Sequence, residues 1–501
     1  MSVPQVFTHA QVLRVLGGVL MCILLAAIDQ TVVIPAVPAI AADLNGFDHL
    51  SWIVSAYLLT STCATPIYGK LSDIHGRRAM LLPAIVLFVA ASALCALSQS
   101  LWQLIAARTL QGLGGAGLMA MAQAVIADIV APRERGRYQV YMAGTWASAS
   151  VAGPIVGGWL TDHLSWHWIF WINLPIGALA FVLSSRALRT LRHVRRAARI
   201  DYLGAGLLTL CITATLLTLS WGGNEYPWAS WQVGLAAAAA LVLLAVLCVQ
   251  QRACADPLLP PRLFANRVIT AGIGIAFLAS AAMLGGTFLL PLFFQLVRGA
   301  DAATSGTMIV PFLLASAGGA YLSGQFARRV GRTKGIMLAG LFGATVCFGF
   351  LTVIGAGTPT PLILLWVFGV GLGIGTCMPT SMVIVQNAAA RADVGAVTGA
   401  LLLLRSLGGA FGSTLVGAAL VGVFTNGLIA HGVTRRIDLS ALRGREAATL
   451  DLDPALAVMA RDALAGGFHM AFGVCTVITG LALLTCMLMR DLPLRSSHEL
   501  D

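Results

Sequence analysis

Long apolar runs separated by short polar gaps dominate the pattern of residues along the 501-residue chain. A helix needs about 20 apolar residues to cross a bilayer. Runs of this kind predict fourteen membrane-spanning helices, at about 12–35, 51–68, 80–98, 102–126, 138–160, 168–186, 203–221, 231–250, 269–295, 303–325, 335–354, 361–385, 396–424 and 466–489. Because this number is even, both ends of the chain are predicted to lie on the same side of the membrane.

The composition supports a membrane protein and excludes a soluble one. Hydrophobic residues make up 58% of the chain and charged residues only 10%, whereas about a quarter of the residues in soluble domains are charged. The ten cysteines lack the spacing of a zinc site or of a disulfide framework. The sequence therefore predicts an all-α polytopic membrane protein without a metal site.

The net charge of +11 does not indicate nucleic-acid binding, because the basic residues cluster in the gaps between apolar runs. If the N-terminus is cytoplasmic, 23 of the 31 Lys and Arg residues fall in cytoplasmic segments, six fall in outward segments, and Arg108 and Arg405 lie inside spans. Cytoplasmic loops of membrane proteins are enriched in Lys and Arg. Both termini are therefore predicted to be cytoplasmic, in a plasma membrane that we expect to be the bacterial inner membrane.

An internal repeat divides the chain into two similar parts. When the chain is shifted by about 256 residues, four segments align: DQTVVIP (29–35) with GGTFLLP (285–291), GKLSDIHGRR (69–78) with GQFARRVGRT (324–333), GLG (112–114) with GVG (369–371), and GPIVGG (153–158) with GGAFGS (408–413). The repeat predicts six-helix halves at 1–187 and 269–501, joined by a linker, 188–268, with two inserted helices.

In the long outward loop at about 425–465, the stretch DPALAVMARDALAGG predicts a helix that extends the last span.

Four motifs resemble those of one transporter family. GKLSDIHGRRAML is similar to the loop signature of the major facilitator superfamily between helices 2 and 3, and GPIVGG is similar to the antiporter motif of helix 5. AIDQTVVIPAVP and SWHWIFWINLPIG resemble motifs of the branch with fourteen helices. The chain is thus identified as a member of the drug:proton antiporter branch over essentially its whole length. The resemblance implies the major facilitator fold, with two six-helix repeats plus two inserted helices.

Charged residues inside spans are candidate functional residues, because burying a charge in the bilayer is costly. Three residues qualify, namely Asp29, Arg108 and Arg405. Asp29 and Arg108 lie at similar depths in the first and fourth spans. Neither charge recurs in the repeat, where Gly285 and Leu365 align with them. We therefore expect the three charged residues to couple proton movement to substrate movement, and the alternative is a purely structural role, such as an ion pair.

Two motifs and two polar residues complete the candidate site. The loop signature is expected to form a cytoplasmic conformational latch, with residues Gly69, Asp73, Gly76, Arg77, Arg78 and the nearby Asp128. The antiporter motif is expected to pack and bend helix 5, with residues Gly153, Pro154, Gly157 and Gly158. Thr31 and Gln111 are expected to add polar groups to the cavity.

The glycines of RTLQGLGGAG (108–117) have the spacing of a dinucleotide-binding turn, but they lie inside a span and are predicted to pack against helices.

These features lead to the hypothesis of a multidrug efflux transporter that exports lipophilic, cationic or neutral compounds in exchange for protons. The expected partners are the substrate, protons and the lipid bilayer, with no nucleic acid, and we expect a monomer. No catalytic residue and no cofactor is expected, and the chain has no G-x-x-x-x-G-K-[ST] motif for binding ATP. The alternatives are an exporter of lipids, glycolipids or metabolites with the same fold, a nutrient symporter and an intramembrane enzyme.

Overall fold

The computed structural model describes residues 9–44, 50–130, 132–190, 201–222, 226–254, 256–300, 302–355, 357–390, 393–430 and 454–494. Its long helices are α1 (His9–Val32), α2 (Leu50–His75), α3 (Arg77–Ala96), α4 (Leu101–Ile129), α5 (Pro132–His163), α6 (Asn173–Ala187), α7 (Tyr202–Trp221), α8 (Trp231–Ala253), α9 (Arg267–Leu296), α10 (Val310–Val330), α11 (Lys334–Leu351), α12 (Thr360–Ala388), α13 (Val394–Ala430) and α14 (Pro454–Leu488). A short helix, Trp168–Trp171, precedes α6. The described part of the chain is thus an all-helical bundle.

Twelve helices in the described ranges are long and apolar enough to cross a membrane. The other two long helices, α2 and α5, contain 26 and 32 residues but are not among these twelve. Ser, Thr, Tyr and Gly residues interrupt the apolar pattern of both helices, which lowers their mean hydropathy. The all-helical membrane fold is therefore confirmed, whereas the number of fourteen spans stays a prediction.

The same pairs of helices pack together in the two halves. In the first half, α4 packs against α2 and α3, and α1 packs against α5 and α6. In the second half, α12 packs against α10 and α11, and α9 packs against α13 and α14. Between the halves, α5 packs against α10 and α2 packs against α13. The two halves therefore share one packing scheme and meet along two helix pairs.

Close glycine contacts correct the alignment of α4 with α12. A Cβ atom on Gly112 would clash with the backbone of Tyr57 in α2, and a Cβ atom on Gly371 would clash with the backbone of Phe312 in α10. Gly112 therefore corresponds to Gly371, and not to position 369 as the sequence alignment had it. The match of Arg108 with Leu365 is wrong by two residues, because this register pairs Arg108 with Val367, which is fully buried.

The glycine motifs of α5 and α13 also lie at different levels of the bundle. A Cβ atom on Gly153 would clash with Thr31 of α1, whereas a Cβ atom on Gly408 would clash with Phe277 of α9. In the alignment, Thr31 matches Thr287, which is ten residues after Phe277. Ten helical residues span about 15 Å. The match of GPIVGG with GGAFGS is therefore wrong, because the two motifs do not occupy equivalent positions.

The inserted helices α7 and α8 pack against each other at the boundary between the halves. The thiol of Cys63 in α2 lies 3.7 Å from the Thr209 carbonyl of α7. The hydroxyl of Thr414 in α13 donates to the Leu219 carbonyl of α7 at 3.4 Å. Helix α7 thus contacts both halves, while α8 lies outside it with few of its residues buried.

The predicted helical extension of the last span is present in the structure, and its outward direction stays a prediction. Helix α14 begins at Pro454 and contains 35 residues, more than the roughly 20 that cross a bilayer. Residues 431–453, in the middle of the segment predicted to be a long loop, lie outside the described residues.

Candidate functional site

A buried carboxylate lies at the centre of the first half. Asp29 of α1 is 0% exposed. Its Oδ2 accepts a hydrogen bond from Arg108 Nη1 at 2.7 Å, and its Oδ1 accepts from Gln111 Nε2 and from Asn173 Nδ2, both at 2.8 Å. Arg108 is 1% exposed. The carboxylate is therefore fully enclosed and held by donors from α4 and α6.

Uncharged groups also surround the guanidinium of Arg108. Its Nη1 donates to Gln111 Oε1 at 2.7 Å, and its Nε donates to the Ile53 carbonyl at 3.2 Å. The Arg108 Cζ atom lies 4.5 Å from the centre of the Tyr57 ring and 5.8 Å from that of Phe170. Aromatic faces attract cations at such distances. Arg108 thus has several neutral partners in addition to Asp29.

The glycines of α4 make room for this arrangement. A Cβ atom on Gly112 would clash with the Tyr57 carbonyl, and a Cβ atom on Gly115 would clash with the Tyr57 hydroxyl. On another side of α4, a Cβ atom on Gly114 would lie 2.7 Å from the Phe88 backbone of α3. The glycine cluster is therefore a packing surface, as its place inside a span predicts. It allows the Tyr57 ring to approach the guanidinium on α4.

Two uncharged residues of the site were not identified from the sequence. Asn173 is the first residue of α6, and its Nδ2 also donates to Ser92 Oγ of α3 at 3.0 Å. The Ser92 hydroxyl in turn donates to the Phe170 carbonyl at 2.9 Å. Among the described residues, Asn173 Oδ1 is a buried side-chain atom without a hydrogen-bond partner. The signal in the sequence is weak, since each is a single neutral polar residue within an apolar run.

Two of the predicted site residues, one expected to couple protons and one expected to line the cavity, lie apart from this network. Arg405 is half-buried on α13 in the second half, and it forms no ion pair or hydrogen bond with any described residue. The Thr31 hydroxyl donates to the Ala149 carbonyl of α5 at 3.0 Å and to carbonyls of its own helix. The structure therefore brings together Asp29, Arg108 and Gln111, but not Arg405 or Thr31.

The loop signature lies where α2 ends and α3 begins, and we call this end of the bundle the loop end. Arg77 Nη1 lies 2.6 Å from Asp73 Oδ1, and Arg77 Nε lies 2.8 Å from Asp128 Oδ2. The other Asp73 oxygen accepts a hydrogen bond from the Ala396 backbone N–H, in the first turn of α13, at 3.1 Å. Burial raises the pKa of Asp73, although Arg77 opposes this shift. Gly76 joins the helices with φ of 96°, a conformation that favours glycine.

Other residues at the loop end also connect the two halves. A Cβ atom on Gly69 would lie 2.6 Å from the Gly395 carbonyl, so α2 and α13 approach very closely here. Arg135 of α5 donates to Gln386 Oε1 of α12 at 3.2 Å. Nothing in the sequence distinguishes Arg135 from the charged residues next to it. Arg78 is exposed and does not take part in these contacts.

The antiporter motif places only some of its residues against α1. Cβ atoms on Gly153 and Gly157 would clash with Thr31 and Val32, so both glycines are needed for close packing. Gly158 has open space beside its Cα atom, and Pro154 is exposed. The motif is therefore a helix-packing element on one face and open on the other.

No group of three or more His, Cys, Asp or Glu side chains that could hold a metal ion occurs in the parts of the chain that the structure describes. The site thus consists of a buried ion pair with uncharged partners, and of a second polar cluster at the loop end. Neither arrangement resembles a catalytic site, and both lie within a helical bundle that can be embedded in a membrane.

The fold and these sites define a multi-pass membrane transporter, and comparison with known proteins identifies its family. The sequence model of the Major Facilitator Superfamily matches residues 19–413. The chain is 35% identical over 404 residues to the multidrug transporter protein MdtP of Bacillus subtilis, covering 80% of this chain and 74% of that protein. The chain therefore belongs to the Major Facilitator Superfamily, and it is a transporter and not an enzyme.

Further comparisons agree with this assignment. The chain is 33% identical over 423 residues to multidrug resistance protein 3 of Bacillus subtilis, covering 82% of this chain and 80% of that protein. Its structure resembles that of the proton:xylose symporter XylE, with a TM-score of 0.64, 14% identity, and coverage of 97% of each chain. At that identity the structural similarity establishes the fold alone.

Proposed function

We propose that the protein is a drug:proton antiporter that exports lipophilic, cationic or neutral compounds by alternating access. In this proposal the proton gradient drives export without a cofactor. Fourteen helices span the cytoplasmic membrane of a bacterium, both termini are cytoplasmic, and the chain works as a monomer. The similarity to MdtP, a multidrug transporter protein, and to multidrug resistance protein 3 supports drug export. The observation that carries proton coupling is the Asp29–Arg108 ion pair, buried inside the first half.

The surroundings of Arg108 allow Asp29 to exchange its charge. When Asp29 takes up a proton, the ion pair ends, but Arg108 keeps the oxygens of Gln111 and Ile53 and the faces of two aromatic rings. The buried cation is then still partly compensated, which lowers the cost of breaking the pair. Because a nearby cation favours the charged carboxylate, movement of Arg108 away from Asp29 favours proton uptake.

Alternating access requires contacts that exist in only one conformation. The hydrogen bond from Ala396 N–H to Asp73 and that from Arg135 to Gln386 join the halves at the loop end. If the loop end is cytoplasmic, this conformation is closed toward the cytoplasm. Proton entry from outside then neutralises Asp29 and favours substrate release outward, and proton loss toward the cytoplasm restores substrate binding.

The proton gradient supplies enough energy for this cycle. One unit of pH difference contributes about 1.36 kcal/mol per proton, and each 100 mV of membrane potential contributes about 2.3 kcal/mol per charge moved. Two units of pH difference thus supply about 2.7 kcal/mol per proton. This energy sustains roughly a 100-fold concentration gradient of a neutral substrate exchanged for one proton.

The proposed function is tested by transport of a lipophilic cationic dye in inside-out vesicles with an imposed pH gradient. We expect accumulation in the wild type to collapse when the gradient is dissipated, and the Asp29→Asn variant to lose gradient-driven accumulation. The variant is expected to keep dye exchange at equal pH, because exchange requires no net proton movement.

Two outcomes would contradict the proposal. Accumulation that is independent of the gradient would exclude proton antiport, and full gradient-driven accumulation by Asp29→Asn would exclude Asp29 as the coupling residue. A parallel assay with a fluorescent glycolipid distinguishes the alternative substrate class, because a lipid exporter would move the glycolipid and leave the dye behind. Arg186→Ala is the control, since Arg186 is exposed and outside both polar clusters.

A further inference from the structure

We propose that Asn173 positions the proton on Asp29 by rotating its side-chain amide. In the ionised state Asn173 Nδ2 donates to Asp29, as the structure describes. In the protonated state a half-turn of the amide presents Oδ1 as the acceptor for the Asp29 hydroxyl. This inference rests on the proposed proton coupling and adds a residue whose role is to stabilise both protonation states of Asp29.

The first observation is an acceptor without a donor. Asn173 is fully buried, and among the described residues its Oδ1 has no hydrogen-bond partner. Leaving a buried acceptor unpaired is unfavourable, so such an atom calls for an explanation. Both hydrogen bonds of this side chain instead come from Nδ2, to Asp29 Oδ1 and to Ser92 Oγ. The amide is therefore oriented for an ionised carboxylate.

The second observation is that the other partners of Asp29 cannot accept its proton. A protonated carboxyl group needs an acceptor for its O–H. Arg108 has only donors, and both lone pairs of Gln111 Oε1 are already used, by Arg108 Nη1 at 2.7 Å and by the Cys95 thiol at 3.6 Å. Asn173 carries the remaining carbonyl oxygen among the three side chains bound to Asp29. Rotation of its amide exchanges the donor for that acceptor without moving a helix, and it places Nδ2 where Oδ1 lies now, so that one unpaired polar atom of Asn173 is exchanged for another.

The Ser92 hydroxyl can exchange its hydrogen bonds when Asn173 rotates, and this exchange affects Phe170. At present the Ser92 oxygen accepts from Asn173 Nδ2, and its hydroxyl donates to the Phe170 carbonyl at 2.9 Å. After the rotation, Asn173 Oδ1 faces Ser92, and the hydroxyl turns to donate to it, because a serine hydroxyl can both donate and accept. The hydrogen bond to Phe170 is then released. The protonation state of Asp29 is thus transmitted to the short helix Trp168–Trp171.

The other titratable groups near Asp29 leave it as the group that changes charge. Arg108 of α4, Tyr57 of α2 and Cys95 of α3 interact with it electrostatically. Helix α6 contributes Asn173, and α5 meets this part of α1 through Gly153 and the Ala149 carbonyl. Arginine stays protonated in proteins, and tyrosine and cysteine are ordinarily neutral at pH 7. One proton is added to one Asp29 oxygen, and only hydrogen bonds change elsewhere.

Infrared difference spectroscopy between pH 8 and pH 5 tests the rotation directly in the full chain in lipid. We expect a protonated carboxyl band that is absent in Asp29→Asn. We also expect the C=O band of one asparagine side chain to shift to lower frequency, because Oδ1 gains a hydrogen bond. Isotopic labelling of asparagine identifies that band, and Asn173→Leu should remove it. Thr479→Val, in the corresponding helix of the second half, is the control that should retain both bands.

The outcomes separate the inference from the proposed function. If the carboxyl band appears without an asparagine shift, the rotation of Asn173 is refuted while proton uptake by Asp29 stands. If no carboxyl band depends on Asp29, the proposed coupling itself fails. In vesicles, Asn173→Leu is expected to reduce gradient-driven dye accumulation at least tenfold while dye binding remains. Accumulation equal to that of Thr479→Val would overturn the role of Asn173.

Discussion

The two halves of the bundle share a packing scheme but differ in what they bury at the same helix crossing. In the first half, α1 meets α6 through the hydrogen bond between Asp29 and Asn173. In the second half, a Cβ atom on Gly285 of α9 would lie 3.4 Å from the Cys475 thiol of α14. The crossing is therefore polar in one half and apolar in the other.

Aromatic residues fill the interior of the second half. The ring of Phe293 in α9 packs edge-on against Phe468 of α14, with 5.5 Å between the ring centres. Position 348, which aligns with Ser92 at the repeat offset of 256, is a fully buried Phe that contacts Gly286. The buried cluster around these rings consists of apolar side chains. Under the proposed function, the second half acts as a packed body while the first half holds the element that responds to protons.

The largest effect is expected from Arg108→Leu, which removes the cation and leaves Asp29 buried. Breaking a buried ion pair by removing one partner costs about 3–5 kcal/mol. We therefore expect a clearly lower unfolding temperature in detergent, measured by light scattering or intrinsic fluorescence. Ile363→Val, a buried change in α12 of the second half, is the control and should cost about 0.5–1.5 kcal/mol. Equal unfolding temperatures for the two variants would contradict the energetic role of the ion pair.

Replacing both charges should separate stability from coupling. Substitution of a buried ion pair by apolar residues is often neutral or stabilising. Arg108→Leu is expected to lose about 3–5 kcal/mol of folding free energy, and the double variant Asp29→Leu, Arg108→Leu should recover most of it. Dye accumulation by the double variant should no longer respond to the pH gradient. Gradient-driven accumulation by this double variant would show that the proton is carried elsewhere. A double variant as unstable as the single one would show that the pair is needed for folding.

The charged residues of the buried site could be predicted from the sequence, but their neutral partners could not. Counting residues from the ends of the spans placed Asp29 and Arg108 at one depth, and they do form an ion pair. Neutral residues carry no comparable penalty inside a membrane, so Asn173 and Ser92 did not stand out. Only the packing of α3 and α6 brings them to one carboxylate. Gln111 was expected to add a polar group to the cavity, and in this structure its side chain is fully buried.

The register of the repeat was ambiguous in the sequence, because GLG (112–114) matches both GVG (369–371) and the identical GLG (371–373). Short glycine matches such as GLG with GVG occur at more than one offset in a glycine-rich chain, which has 54 glycines. The steric contacts of Gly112 and Gly371 determine the correct offset between α4 and α12. Likewise, membrane spans are recognised by hydropathy, so α2 and α5, which carry polar residues along the boundary between the halves, are harder to recognise than the others.

A smaller effect is expected where the halves meet at the loop end. Gly69→Val places a side chain against the Gly395 carbonyl, and overpacking of this kind costs about 1–3 kcal/mol. This steric cost falls only on the conformation in which the loop end is closed. The population of that conformation should therefore drop at least about fivefold. Labelling of a cysteine introduced at the loop end should become correspondingly faster. Gly144→Val, which has open space on α5, is the control, and equal labelling of both variants would contradict the close contact.

The smallest effect on stability is expected from an Arg→Leu substitution in the second half, at Arg405. It is the same kind of change as Arg108→Leu in the first half. Arg405 of α13 forms no ion pair or hydrogen bond with a described residue, so Arg405→Leu leaves no buried partner uncompensated. We expect the free energy of unfolding to stay within about 1 kcal/mol of the wild type or to rise, in contrast to Arg108→Leu. Thermal unfolding of both variants side by side checks this. A loss from Arg405→Leu as large as that from Arg108→Leu would mean that Arg405 is paired in the membrane, and the contrast between the halves would then not hold.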